Sequence, residues 1–184
     1  MRPSKTIVVV ASAGMSRDFE FTIVSVHTTA DVHQALTSEE QWLARFATAE
    51  KTDGYELITH ADGAFTVDIS EEVGTSELPG FVKKVIRGKL LITRTDHWGP
   101  LVGDIADGTL AGGSSAVSAR VEGSMALRPD GEGSILTVRG TSTVKIPLIG
   151  GKIESLIIDM IKDMVDRETR ETIEWAQKVN EEEG

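Results

Sequence analysis

From Ile135 to Ile146 the residues alternate without interruption, and a long helical pattern follows almost at once. Leu136, Val138, Gly140, Ser142, Val144 and Ile146 fall on one face, and Thr137, Arg139, Thr141, Thr143 and Lys145 on the other. A period of two marks a half-buried antiparallel strand. Pro147-Leu148-Ile149-Gly150-Gly151 ends it, because proline has no N–H to give a ladder and glycine permits a sharp reversal. From about Lys152 to Val179, a turn of roughly 100° per residue gathers Ile157, Ile161, Met164, Val165, Trp175, Ala176 and Val179 into one stripe. Ile153 and Met160 lie on its margin, and Asp159, Asp163, Asp166 and Arg170 form a charged ridge opposite. A strand and a helix that are each apolar on one side are buried together when the helix lies across the sheet. The ending therefore predicts an antiparallel sheet wrapped around a long terminal helix.

The upstream pattern supplies the rest of that sheet. Arg17 to His27 alternates as a first strand, with Phe19, Phe21 and Ile23 on one face. Two short helices follow, the first capped by Thr28 or Thr29 and the second opened by a Ser38-Glu39-Glu40-Gln41 capping box. Tyr55 to His60 and Ala64 to Ile69 form a hairpin around Asp62-Gly63. Leu78-Pro79-Gly80 breaks the chain, and Phe81 to Ile86 reads equally as a short helix or an irregular edge. Lys89 to Trp98 is the fourth strand, and a weak fifth is expected around Val102 to Leu110 within the glycine-rich stretch Gly99 to Gly113. Ala116 to Arg128 is the sixth, with Val117, Ala119, Val121, Gly123, Met125 and Leu127 on one face, and Arg128-Pro129-Asp130-Gly131 turns it into the seventh.

With 40% hydrophobic residues in 184, the chain has material for a real core. One domain is expected over residues 15–180, with residues 1–14 as an extension outside the core fold and 181–184 as a frayed tail. Arg2, Lys5, the Ile7 to Val10 run and Ala11-Ser12-Ala13 imitate a secretory signal, but the apolar run is shorter than the roughly 7–15 residues export needs. Met15 is then the expected functional start, although the aliphatic run could still add a short strand. Deleting Met1 to Gly14 should leave the midpoint of thermal unfolding nearly unchanged, which differential scanning calorimetry would check.

A net charge of -10 argues against nucleic acid and against anionic membrane surfaces, and no lysine/arginine cluster stands out against it. No cysteine is present, which excludes disulfides and thiolate chemistry and fits a cytoplasmic setting. No apolar run reaches the roughly 18–20 residues of a bilayer span, so stable membrane insertion is not expected.

The order of strand, two short helices, six strands and long helix resembles the START-like helix-grip superfamily, also called SRPBCC. The passages that carry the likeness are Phe19-Glu20-Phe21, the Val32 to Arg45 helices, the Leu78-Pro79-Gly80 break, Trp98, and Lys145-Ile146-Pro147-Leu148-Ile149-Gly150-Gly151-Lys152-Ile153-Glu154. Within the superfamily the chain looks most like a small uncharacterised bacterial family of the domain-of-unknown-function kind. The resemblance implies an α+β helix-grip fold: a seven-stranded curved antiparallel sheet around the C-terminal helix, two short helices after strand 1, and a hydrophobic tunnel between sheet and helix. It implies binding or carriage of a hydrophobic small molecule, lipid-like or polyketide-like. It supplies no catalytic residue and no cofactor.

Small inward residues at Ala119, Gly123, Gly140 and Ser142 leave volume for such a ligand, or else permit the sheet to bend while larger side chains fill the gap. With the resemblance, the cavity is the favoured reading, lined by Trp98, Ala119, Val121, Gly123, Met125, Leu136, Val138, Gly140, Ser142, Ile157, Met160, Ile161, Met164 and Glu168. Gly140→Leu is then expected to fold and to block it, and entry is expected through the Gly99 to Gly113 stretch or the break near Pro79. Met125, Met160 and Met164 would suit such a space, but methionines at this spacing are more often ordinary core, and Trp42 and Trp98 read as packing anchors. Glu168 lies near the centre of the apolar stripe, where a carboxylate is costly unless paired or solvated. It is either a polar handle at the pocket mouth or, as expected here, a residue that meets water where the helix overhangs the sheet.

His27, His33, His60 and His97 form no metal-like pair, so no metal is expected. His97 beside Asp96 is the best catalytic candidate, but neighbours along a strand point to opposite faces, so no catalytic residue is assigned. Gly150-Gly151-Lys152 lacks the first glycine and the following Ser/Thr of a phosphate loop, having Ile146 and Ile153 there. The alternatives are a cyclase or hydratase using His97 or Glu168 in the same cavity, or a protein-interaction module with a filled core.

Overall fold

The computed structural model describes residues 7–8, 16–48, 52–73, 79–84, 90–114 and 117–182. The long alternating runs pair into one antiparallel sheet in the order β1-β2-β8-β7-β6-β5-β4-β3. Its strands are β1 (Ile7–Val8), β2 (Ser16–Ser25), β3 (Thr52–Thr59), β4 (Phe65–Val73), β5 (Leu90–Trp98), β6 (Ala106–Ser114), β7 (Ala119–Asp130) and β8 (Gly133–Val144). Seven are the expected long strands; β1 is a two-residue addition at the edge, pairing Ile7 with Phe21 and Val8 with Glu20. The remainder of the expected N-terminal extension, with Met15, lies outside the described residues. Helices α1 (Thr29–Leu36), α2 (Glu39–Thr48), α3 (Gly80–Lys83) and α4 (Gly150–Glu182) complete the chain.

The local reasons are those of the residues themselves. Thr28 caps α1: its Oγ1 accepts the Asp31 amide at 3.2 Å while its own N–H donates to the Asp31 carboxylate at 3.3 Å. Ser38 likewise accepts the Gln41 amide at 3.3 Å to start α2. Asp62-Gly63 closes the β3–β4 hairpin with Gly63 at φ 85, a left-handed position glycine takes freely. Of the stretch Phe81 to Ile86, undecided in sequence, Phe81 to Lys83 belong to the short helix α3, and Val85 and Ile86 lie outside the described residues.

Two expectations are corrected. The weak fifth strand begins four residues later than Val102, at Ala106, and runs through the glycines to Ser114 in the middle of the sheet. Its glycines let neighbours close in: at Gly108 an added Cβ would meet the His97 carbonyl oxygen at 2.7 Å and Trp98 Cε3 at 3.0 Å. Most of the proposed entry loop is therefore sheet, and only residues 99–105 connect. The buried stripe of α4 is also turned from the expected one. It holds Ile153, Glu154, Ile158, Val165, Asp166, Glu168 and Thr169, while Met160 is 51% exposed. The cause is α1, which packs along α4 and covers a flank that a helix on a sheet alone would leave wet.

The core gathers at three places. The largest cluster joins Phe19, Phe21, Ile23, Leu110, Val121, Met125, Leu127, Leu136 and Val138 of the sheet to Val32 and Leu36 of α1 and Ile158 and Val165 of α4. A second, at the opposite end, joins Val82, Leu90, Val144 and Ile153. A third packs Trp42 of α2 on Phe65 and Val67, and Trp42 Nε1 donates to the Leu36 carbonyl at 3.0 Å. Trp98 is an anchor as well, edge-on to His33 at 6.4 Å, whose Nε2 lies 2.8 Å from the Gly99 carbonyl oxygen.

Candidate functional site

The phase of β5 decides the chemistry of the interior. Leu90 and Trp98 are both buried, so the period of two carries Ile92, Arg94 and Asp96 onto the same inner face. Across the sheet, Arg94 stands in register with Gly112, Gly112 with Val121, Val121 with Ser142 and Ser142 with Arg17. The next row runs Asp96, Leu110, Gly123, Gly140, Phe19. Two opposite charges two residues apart on the face of a buried tryptophan are the signal that sequence reading passed over.

Arg94 reaches across to α4. Its Nη1 donates to Glu168 Oε1 and its Nη2 to Glu168 Oε2, each at 2.7 Å, a bidentate pair, and Nη2 also donates to Asp96. Arg45 of α2 adds a second cation, its Nη2 3.1 Å from Glu168 Oε1, with its guanidinium 4.6 Å over the Trp42 ring. Glu168 is thus buried and paired, contrary to the expectation that it meets water. α2 and β5 reach over the helix at that level through Arg45 and Arg94, so the side chain is not left to solvent.

Burial alone would push the Glu168 carboxyl up. The charge of Arg94, its hydrogen bonds and the charge of Arg45 outweigh that and hold it below the usual carboxylate range. Asp96 goes the other way: desolvation is its largest influence, Arg94 offsets only part, and nearby Glu168 adds repulsion, so its carboxyl is raised. Arg94 is held charged by both carboxylates against the cost of burial. Arg94 Nε, Ser142 Oγ and Ser114 Oγ are buried polar atoms without a hydrogen-bond partner.

The residues expected to line a cavity separate into two groups. Trp98, Met125, Leu136 and Val138 are packed in the closed core beneath α1. Gly123 and Gly140 leave no free volume there either: a Cβ on Gly123 would meet Leu110 Cγ at 3.2 Å, and one on Gly140 the Phe19 ring at 2.6 Å. At these two glycines the larger neighbours fill the gap. The backbone of α4 runs close along β2, β8 and α1, whereas on the β5–β6 side the sheet reaches it through side chains, Arg94 meeting Met164 and Glu168. There, among the described residues, a Cβ on Gly112 would meet only the Thr93 carbonyl oxygen at 3.3 Å and Val121 Cβ at 3.9 Å. Ile157, Ile161 and Met164 face this side half-buried, Val121 and Ser142 continue its floor, and Arg94 with Glu168 closes one end. Ala119, half-buried, belongs to the second cluster at the other end. Met160, exposed, is not part of it.

Outside this cleft, Asp18, Glu20, Glu122, Ser124, Arg139 and Thr141 ring a hollow of about 600 Å³ on the outer face of the sheet. His97 also points outward, its Nδ1 2.9 Å from Thr66 Oγ1, which lies 2.9 Å from His60 Nε2. Asp96 and His97 thus part to opposite faces as strand geometry requires. No group of three metal-ligating side chains occurs among the described residues, and no helix there is long and apolar enough to cross a membrane.

A long C-terminal helix gripped by a curved antiparallel sheet, with two short helices after the first long strand, is the α+β helix-grip fold. Residues 20–176 match the family described as Protein of unknown function (DUF2505), and the chain belongs to that family. Uncharacterized protein Rv0481c of Mycobacterium tuberculosis is 33% identical over 172 residues, covering 89% of this chain and 95% of the relative. Among solved structures the fold is shared with TTHA0849 from Thermus thermophilus, at TM-score 0.56 and 13% identity over 88% of this chain and 98% of that one. Human STARD10 matches at TM-score 0.53 and 10% identity, over 94% and 76% of the two chains. The di-domain ARO/CYC StfQ from the steffimycin biosynthetic pathway matches at TM-score 0.52 and 15% identity, over 91% of this chain and 52% of that one.

Proposed function

We propose that this protein binds or carries a hydrophobic small molecule, lipid-like or polyketide-like, in the cleft between α4 and the β5–β6 side of the sheet. The observation that carries the reading is the room at Gly112, where a Cβ would meet only the Thr93 carbonyl oxygen and Val121 Cβ, on an inner wall that is packed at Gly123 and Gly140. Apolar burial against Val121, Ile157, Ile161 and Met164 supplies the affinity, at about 25 cal/mol per Å² removed from water. The unpartnered Arg94 Nε and Ser142 Oγ would orient an oxygen-bearing end of the ligand. The START-like fold, shared with StfQ of a biosynthetic pathway, supports the same reading.

Gly112→Leu tests it. The Cβ has room if the Thr93 carbonyl shifts slightly, and the isobutyl group then occupies the cleft. The variant should keep its circular dichroism spectrum, lose a few degrees of thermal midpoint, and lose both an environment-sensitive dye and any lipid-mass adduct seen by native mass spectrometry of protein purified from its own host. A folded Gly112→Leu variant that keeps dye and adduct removes the cleft as the site.

One observation favours a second reading, acid–base chemistry in the same cleft. Asp96 and Glu168 are a buried pair whose carboxyls are displaced in opposite directions. Asp96, held toward its neutral form, would be the proton donor; Glu168, locked by two arginines, would not. A bound adduct whose mass changes on incubation in wild type but not in Asp96→Asn would establish this, whereas an unchanged mass in both leaves carriage.

A further inference from the structure

The turn that joins β8 to α4 holds a leucine where leucine is strained. Leu148 has φ 70, a left-handed backbone that side chains with a Cβ adopt only at a cost, and it is the one non-glycine in that region among the described residues. Its side chain is fully exposed, at 103%. The turn is braced from below: Ile146 and Ile149 pack with Phe81, Val82, Val144 and Ile153, and the buried Glu154 carboxylate accepts the Val144 N–H at 3.0 Å. A rigid support, local strain and a large apolar side chain aimed at water do not serve the fold.

The charge around Leu148 is opposite to that of the chain. Lys145 and Lys152 flank it, both exposed, and α3, which packs on the same cluster, is followed by exposed Lys84. From Phe81 to Leu90 the sequence carries Lys83, Lys84, Arg87 and Lys89, and from Lys145 to Ile153 Lys145 and Lys152, with no acidic residue in either stretch. The other end of the sheet also exposes apolar side chains, Val26 at 77%, Val102 at 71% and Ile105 at 46%. Those are set among exposed Asp104, Asp107, Asp130 and Glu132.

We propose that the Leu148 tip, with Lys84, Lys145 and Lys152 around it, docks this protein onto an anionic lipid bilayer. Leucine enters the boundary between headgroups and acyl chains while the lysines remain at the phosphate level. The net charge of -10, which taken as a whole argues against such a surface, turns the acidic end away and makes the docking one-sided. Docking needs no occupant in the cleft, so it stands apart from the ligand-binding reading. It would present the α3 side of the cleft to the membrane.

Vesicle flotation tests it, using full-length protein with phosphatidylcholine vesicles containing one third phosphatidylglycerol and with pure phosphatidylcholine vesicles. The protein should float with the anionic vesicles, less with the neutral ones, and less in high salt. Lys145→Gln and Lys152→Gln should each weaken partitioning by about fivefold, and Leu148→Asp by roughly tenfold. Leu148→Gly separates docking from folding: glycine relieves the left-handed backbone, so the thermal midpoint should hold or rise while partitioning falls. Val102→Asp, at the acidic end, should change nothing. Flotation indifferent to phosphatidylglycerol, undiminished in Leu148→Gly, or lost equally in Val102→Asp would overturn the proposal, as would no flotation at all.

Discussion

Replacing Arg94 with methionine should lower the stability of this fold by about 3–5 kcal/mol, the range for breaking a buried ion pair by removing one partner. For a chain of this size that is a fall of roughly 6–20 °C in thermal midpoint. Methionine keeps much of the arginine's length, so the loss comes from charge. Asp96 and Glu168 would be left as neighbouring carboxylates in a buried site, with Arg45 still paired to Glu168 and the charge of Arg167 nearby. The triple variant Arg94→Met, Asp96→Asn, Glu168→Gln removes every charge that Arg94 served and should recover a large part of the loss. Chemical denaturation of the two variants decides the matter. If the triple variant is as unstable as the single one or worse, the cluster is not a coupled unit.

The same variant predicts a pH dependence whose sign follows from the displaced carboxyls. In the wild type Glu168 sits below its ordinary value, so its stabilising contribution is present above the unfolded pKa and is lost as pH falls through the folded one. Asp96 sits above its ordinary value, so its ionised form is a cost at neutral pH that acidification relieves. Without Arg94 the largest opposition to burial is gone, so both carboxyls rise from their wild-type positions, although Arg45 still lowers both and Arg167 still lowers Glu168. That rise costs the variant most at high pH and progressively less as pH falls through the folded values. The difference in thermal midpoint between wild type and Arg94→Met should therefore be wider at pH 7.5 than at pH 5.

How much of this was readable beforehand depends on whether the signal was local. β7 and β8 were plain, because twelve-residue alternating runs admit one phase only, and the buried Val121, Met125, Leu136 and Val138 follow from it. The Pro147 to Gly151 turn and α4 were legible for the same reason. Glu168 was legible as an anomaly, a carboxylate in an apolar stripe, but its resolution was not. Its partner Arg94 is 74 positions away, and nothing near Glu168 encodes it. β5 carried the complementary hint, since Trp98 and Leu90 force Arg94 and Asp96 inward, but a strand charged on its buried face reads as a poor strand until its partner is known. The turned face of α4 was hidden likewise, because it depends on α1 arriving from the other end of the chain. β6 was misplaced because glycine gives no alternation to read, and its pairing comes from β5 and β7 on either side.

Gly140→Leu, expected from sequence to fold and merely block a cavity, should instead be among the most destabilising single changes in this protein. The strand pairs Gly140 with Gly123 on one side and Phe19 on the other. A Cβ there would stand 2.5 Å from the Glu122 carbonyl oxygen and 2.6 Å from Phe19 Cζ. The first contact is with backbone in the neighbouring strand, so relief requires β7 and β8 to move apart in the middle of the sheet. The second displaces a ring that is 4% exposed and stacked on Phe21 at 6.2 Å. Overpacking of a well-filled core costs about 1–3 kcal/mol, and the carbonyl contact should carry this case to the upper end or beyond. Even Gly140→Ala should cost a substantial part of that, since the Cβ is already the offending atom. Gly112→Leu is the matched control: also glycine to leucine on an inner strand face, but with the Thr93 carbonyl oxygen at 3.3 Å as its nearest neighbour. Urea denaturation of the pair should place Gly140→Leu well below Gly112→Leu. Equal midpoints would mean that the inner wall is as open at Gly140 as at Gly112, and the assignment of packed core to one and cleft to the other would fail.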